Sequence, residues 1–181
     1  GYNIADTYFV GQLHNTVALA AMGYTFPVIM IIGCIFRGLA TGIMATAAQA
    51  LGGAKHGKAA KLITSGLCLT LVLSIICGLL GAHYIDWTFH QFGAQDNVMP
   101  YIRSYMVIWY WGVCTAALTM SCNDILMAAG STKIASGMMV AGMLINVILD
   151  PIFIFGFAGI PAMGIAGAAW ATVLSQAFAA A

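Results

Sequence analysis

IASGMMVAGMLINVILDPIFIF, residues 134–155, decides the fold. The apolar run is unbroken by charge until Asp150. It is as long as the roughly 20 mostly apolar residues that an α-helix needs to cross a bilayer. A membrane-barrel strand would alternate apolar and polar residues over about 10 positions, and this stretch does not alternate. It reads as a spanning helix. Two polar residues sit in it four apart, Asn146 and Asp150, and therefore on one face. Pro151 follows at once.

Moving outward, the same pattern recurs. No Asp, Glu, Lys or Arg occurs in 7–36, 62–82, 104–123 or 151–181. Charged residues make up 6% of the chain, against about a quarter in a soluble domain, and mean hydropathy is +0.96. This excludes an ordinary water-soluble domain, and the chain has no basic patch for nucleic acid. Spans are expected at 1–10 (the tail of a first helix), 17–51 with a kink at Pro27, 58–84, 98–128, 132–155 and from about 162 to 181. The stretch 83–97 reads as a polar, aromatic loop, and 156–161 as a short turn. The first residue is Gly and the last span stops in an apolar run, so both ends read as cut. The expected fold is all-α: one bundle over 1–181 of six antiparallel transmembrane helices.

Little catalytic chemistry is visible. GxSxG, GxxxxGK[ST] and HExxH are absent from the sequence. Cys34, Cys68, Cys77, Cys114 and Cys122 lie in hydrophobic runs and read as small buried residues rather than metal ligands. His14, His83 and His90 fall in or near turns on one side, and His56 lies among lysines. No cofactor, haem or metal centre is expected.

Basic residues orient the bundle. Lys55, Lys58 and Lys61 cluster at the second turn, and Lys133 lies in the fourth. Positively charged turns stay in the cytoplasm, so the first span runs outward. Tyr84, Trp87 and Tyr101 then form an outer interfacial belt. Gly38 with Gly42, and Gly164 with Gly167 and Ala168, are candidates for close helix packing. Arg37 falls about 30 Å along the second span, near the inner interface, where it either snorkels to headgroups or lines an inner cavity. Asp124 and Lys133 are expected to be solvated at the inner end.

Asp6 and Asp150 each lie roughly 8–9 Å from the outer end of their spans. Ionisable groups in spanning helices are costly and face a partner or a cavity. Two carboxylates at matched depth suggest a shared polar pocket. Pro151 cannot donate to the helix ladder and crowds the carbonyl of Val147, and carbonyls freed in this way help to bind cations in transporters. From spacing alone, ion binding and simple strapping of helices remain equal alternatives.

NIADTYFVGQL, ALAAMGYTFP, ATAAQALGGAKHGKA, YIRSYMVIWYWG, ALTMSCNDILMAAGSTK, NVILDPIFIFG and GIAGAAWATVLSQ occur in that order. Together they resemble the first half of the multidrug and toxic compound extrusion (MATE) family, closer to its damage-inducible-protein branch. The resemblance implies a twelve-helix transporter of two bundles, of which this chain is the first. It implies cation-coupled export of drugs and organic cations in exchange for H⁺ or Na⁺, by alternating access, in the inner (plasma) membrane. The implied partners are these substrates, membrane lipid and the second six-helix half. The implied cation site is Asp6, Asn146, Asp150 and Thr172, with Tyr105 as a lining residue; any metal there would be Na⁺. Arg37 and Asp124 depart from the family's pattern as charges where small or apolar residues are expected. A lipid-linked substrate flippase of a related fold would want more cationic residues in its cavity than Arg37 and Arg103. A membrane-embedded enzyme would need a ligand set or nucleophile that the chain lacks.

The lysine asymmetry makes a topological prediction. In a cysteine-free background, a cysteine at 94 should react with impermeant maleimide added to intact cells, and one at 55 only after lysis. The reverse pattern would overturn the orientation.

Overall fold

The computed structural model describes residues 2–157 and 159–180. Gly1, Ala158 and Ala181, and with them the two chain ends, lie outside the described residues. Seven helices follow in order: α1 (Tyr2–Gly11), α2 (Thr16–Gly52), α3 (His56–His83), α4 (Ile85–Gln91), α5 (Met99–Ala128), α6 (Thr132–Phe155) and α7 (Ile165–Ala180). Four of them, α2, α3, α5 and α6, are long and apolar enough to cross a membrane. All but α4 match expected spans, so the six-helix bundle forms as the sequence suggests.

α5 is the central post. It packs against α2, α3 and α7, while α6 packs on α7 and α1 on α6. Its buried stripe includes Ile102, Tyr105, Met106, Trp109 and Val113, at the three- and four-residue spacing of one helical face. The outward faces of α3 and α6 are exposed and greasy: Leu69, Val72, Ile76 and Leu80 on the first, Val140, Leu144 and Ile148 on the second. Such faces suit a hydrocarbon solvent, which offers backbone groups no hydrogen bonds and so favours continuous helices. α2 is one helix straight through Pro27 and α6 straight through Pro151.

Side chains tie down the outer turns. Asn15 caps α2, accepting from the N–H groups of Val17 and Ala18 at 3.1 and 3.2 Å, and its amide donates to Tyr101 Oη at 3.1 Å. The expected loop over 83–97 contains α4. Ile85 and Phe89, one turn apart, are buried at 3% and 0% exposure, a helical repeat that the surrounding polar residues hide. Arg103 anchors this helix to α5 through Asp86 at 2.9 Å. His90, its ring facing the carbonyl of Asp86 and then the carboxylate of Asp96, is held above the usual histidine range.

The last helix begins at Ile165 rather than near 162. The chain instead turns back on the end of α6, held by backbone bonds: Met163 N–H to Phe153 C=O at 2.9 Å and Gly164 N–H to Ile154 C=O at 3.2 Å. Gly156 turns the chain with φ 79°. A Cβ there would meet the Ala162 nitrogen at 2.8 Å.

Two expectations about packing and charge are corrected. Gly38 and Gly42 are exposed, and no atom of the described residues lies within 4 Å of where a Cβ on either would stand; α2 turns other residues of its surface toward its neighbours. Asp124 is not solvated. It is 1% exposed and sits 3.3 Å from Arg37 Nη1, because α2 and α5 run alongside each other and bring both residues to the same depth.

Gly167 is the close approach that the sequence did suggest. A Cβ there would lie 2.4 Å from the Phe153 carbonyl oxygen, which is backbone and cannot swing away. Gly167→Ala should therefore push α7 off α6 and cost about 1–3 kcal/mol. It should lower the melting temperature of the purified full-length protein, while Gly137→Ala, on an open face of α6, leaves it unchanged. Equal melting temperatures would refute this contact.

Candidate functional site

Four helices deliver polar side chains to one buried point in the half of the bundle that the lysine asymmetry predicts to be outer. α1 brings Asp6, α5 Tyr105, α6 Asn146 and Asp150, and α7 Thr172. All five are at most 2% exposed. Tyr105 donates to Asp6 Oδ2 at 3.0 Å and Thr172 donates to the same oxygen at 2.8 Å. Asn146 donates its amide to Asp150 Oδ1 at 3.3 Å and to Thr172 Oγ1 at 3.4 Å. A single chain of hydrogen bonds thus runs from Asp150 through Asn146 and Thr172 to Asp6 and Tyr105.

The chain is incomplete. Asp6 Oδ1, Asp150 Oδ2 and Asn146 Oδ1 are buried, and no donor among the described residues reaches them. An unpaired buried carboxylate costs several kcal/mol, so two carboxylates here call for a positive charge between them. Hydrogen-bond donors are spent on one oxygen of each acid and the other is left bare. Oxygen donors from two carboxylates and an amide form a hard ligand set, which suits Na⁺ or a proton and not a soft metal.

The residues themselves pointed to Asp6, Asn146 and Asp150, the family resemblance implied Thr172 and Tyr105, and the structure brings all five together. Asn146 and Asp150 share a face of α6 as their spacing requires. The sequence did not show that Thr172 has a second face. Thr172 also lines a cavity of about 510 Å³ between α2, α5 and α7, together with Gln176 one turn further along α7. The i, i+4 spacing of Thr172 and Gln176 in an otherwise apolar helix was the available signal. Arg37 lines the same cavity, so the cavity alternative for this residue is the one that the structure supports.

Fold and site together define a multi-pass α-helical membrane protein with an acidic pocket buried among its helices. The MatE family model matches residues 1–152, and the chain belongs to this family of transporters. A FAD transporter of Shewanella oneidensis is 37% identical over 97% of the chain, and the multidrug export protein MepA of Staphylococcus aureus is 25% identical over 97%. The chain spans 38% of the length of each. Among solved structures, an inward-facing multidrug resistance MATE family transporter of the MOP superfamily superposes with a TM-score of 0.92 at 31% identity, covering 99% of this chain and 40% of that one. A MATE protein in its bent conformation gives 0.91 at 31% identity, covering 98% and 39%.

The bare oxygens make a prediction about stability. In the full-length protein, Na⁺ or acidification should raise the melting temperature. A ligand at 100 times its Kd stabilises by about 2.7 kcal/mol. Asp6→Asn/Asp150→Asn should remove that response and keep the fold, since it removes the stranded charges. A Na⁺ or proton response surviving in the double variant would place the cation elsewhere.

Proposed function

We propose that the full-length protein exports amphipathic small molecules, drugs among them, in exchange for H⁺ or Na⁺. The observation that carries this reading is the pair of buried carboxylates, Asp6 and Asp150, each with one oxygen hydrogen-bonded and one bare. Such a pair tolerates emptiness poorly and accepts one positive charge readily. Asp150 takes the exchangeable charge, Asn146 orients it, and Asp6 with Tyr105 and Thr172 completes the cage.

Coupling runs through Thr172. Its hydroxyl is bonded to Asp6, and its side chain lines the cavity. A cation that draws Asp6 and Asp150 together shifts α7 against α5, and with it the cavity wall. Alternating access then arises from movement of this bundle against a second six-helix bundle, which fits a chain that spans 38% of its relatives. The site of action is the plasma membrane. A narrower reading is flavin nucleotide export, favoured by the 37% identity to a FAD transporter.

Asp150→Asn in the full-length protein should leave the melting temperature near wild type and reduce gradient-driven efflux at least about 10-fold, because an amide neither binds nor releases a proton and is a weak partner for Na⁺. Asn146→Ala should reduce it less. Efflux and melting temperature measured on one preparation decide the matter: normal efflux from Asp150→Asn ends the coupling assignment.

A further inference from the structure

The only charged residue in the wall of the large cavity is Arg37, among the described residues. A second cavity of about 170 Å³ adjoins toward the inner end, and Arg37 and Gln176 line both. The guanidinium therefore stands where the two spaces meet. Its side chain is 57% exposed. Nη1 stands 3.3 Å from Asp124 Oδ1 as an ion pair, and neither buried oxygen of Asp124 accepts a hydrogen bond from the described residues. Asp124 belongs to neither wall; it lies buried behind Arg37.

This arrangement has a direction. Arg37 is the countercharge of an Asp124 carboxylate whose oxygens accept no hydrogen bond from the described residues, so if Arg37 swung away a buried charge would be left uncompensated, at a cost of several kcal/mol. Asp124 thus holds the guanidinium at the cavity junction with its free N–H groups turned to the space. A planar guanidinium with free donors matches carboxylate or phosphate two bonds at a time, and it repels a cation. The wall beside it includes Phe26, Phe36 and Trp109. The volume is that of a drug-sized ligand site.

We infer that the Arg37–Asp124 pair is a selectivity element that makes this cavity a site for amphipathic aromatic anions, the guanidinium taking the carboxylate or phosphate and the apolar wall taking the ring. The inference rests on the export reading for the cavity's use, while ligand charge selection is separable from ion coupling. It is a different site from the acidic pocket: Thr172 bounds both, but Arg37 lies toward the inner end and contacts none of the acidic-pocket residues.

The test uses flavin mononucleotide and riboflavin, which share a ring and differ by a phosphate, with ethidium as the cationic probe. Binding to the purified full-length protein is measured at saturating Na⁺ with no gradient. Wild type should prefer the phosphate form. Arg37→Gln should weaken flavin mononucleotide binding about 10- to 100-fold and leave riboflavin within about 2-fold. Because that variant strands Asp124, Arg37→Gln/Asp124→Asn is made alongside it; the double variant removes both charges and leaves no bare carboxylate. The same selective loss in a double variant of wild-type melting temperature supports the inference. No preference in wild type, an unchanged phosphate preference in the double variant, or an equal loss of both flavins overturns it. Ethidium should bind wild type more weakly than flavin mononucleotide, and equally tight binding would overturn the inference. Efflux of flavin mononucleotide driven by Na⁺ or proton gradients is read separately. Its absence in a wild type that shows the phosphate preference would sink the coupling reading and leave the binding comparison intact.

Discussion

The hydrogen bond from Thr172 to Asp6, 2.8 Å long, joins the first helix to the last across 166 residues of sequence. Much of the bundle's internal order follows from it. Asp6 on α1 is tolerated among hydrocarbon side chains by being met by donors from elsewhere. α7 and α5 supply them, and α6 is locked in through Asn146, which donates to the same Thr172 hydroxyl. The polar site is therefore also the fastener of the outer half. Its bare oxygens mark the place where donors among the described residues run out.

A second charged unit lies at the other end of the same helices. Arg37 and Asp124 tie α2 to α5 at one end of the bundle, while Asp6 and Tyr105 tie α1 to α5 nearer the other. The two units have opposite characters. The outer one holds surplus negative charge with no cation of its own, and the inner one is balanced, with its positive half turned to open space. An exchanger that takes in a cation and puts out a solute has use for both, and the cavity wall formed by α7 runs between them.

Most of the fold was legible because a bilayer simplifies the code. Uncharged runs of about 20 residues leave few readings, and Gly130, Ser131 and the lysine turns punctuate them clearly. The acidic site was legible for a related reason: Asp6, Asn146 and Asp150 are conspicuous where water is scarce, and the family resemblance supplied Thr172 and Tyr105, which draw no notice alone. What escaped was tertiary. α4 was hidden because its two anchors, Ile85 and Phe89, are outnumbered by polar neighbours, and one buried turn of helix is a weak periodic signal. The burial of Asp124 was hidden because a charge at a helix end looks solvated until the partner helix is known to bring an arginine to its level. Gly38 and Gly42 misled in the opposite direction, since spacing says which face is small and not what lies against it.

The distance in sequence between Asp6 and Thr172 also sets a clock. Ribosomes add about 5–20 residues per second, so the last helix emerges roughly 8–33 s after the first. Throughout that interval the acid of α1 lacks one or more of its eventual partners from α5, α6 and α7. A helix bearing an unmet carboxylate is a poor candidate for early release into lipid. α1 must instead wait beside the insertion machinery or at the headgroup boundary until the later helices arrive. Assembly of this half would then end where the sequence began, with the first helix among the last to be seated.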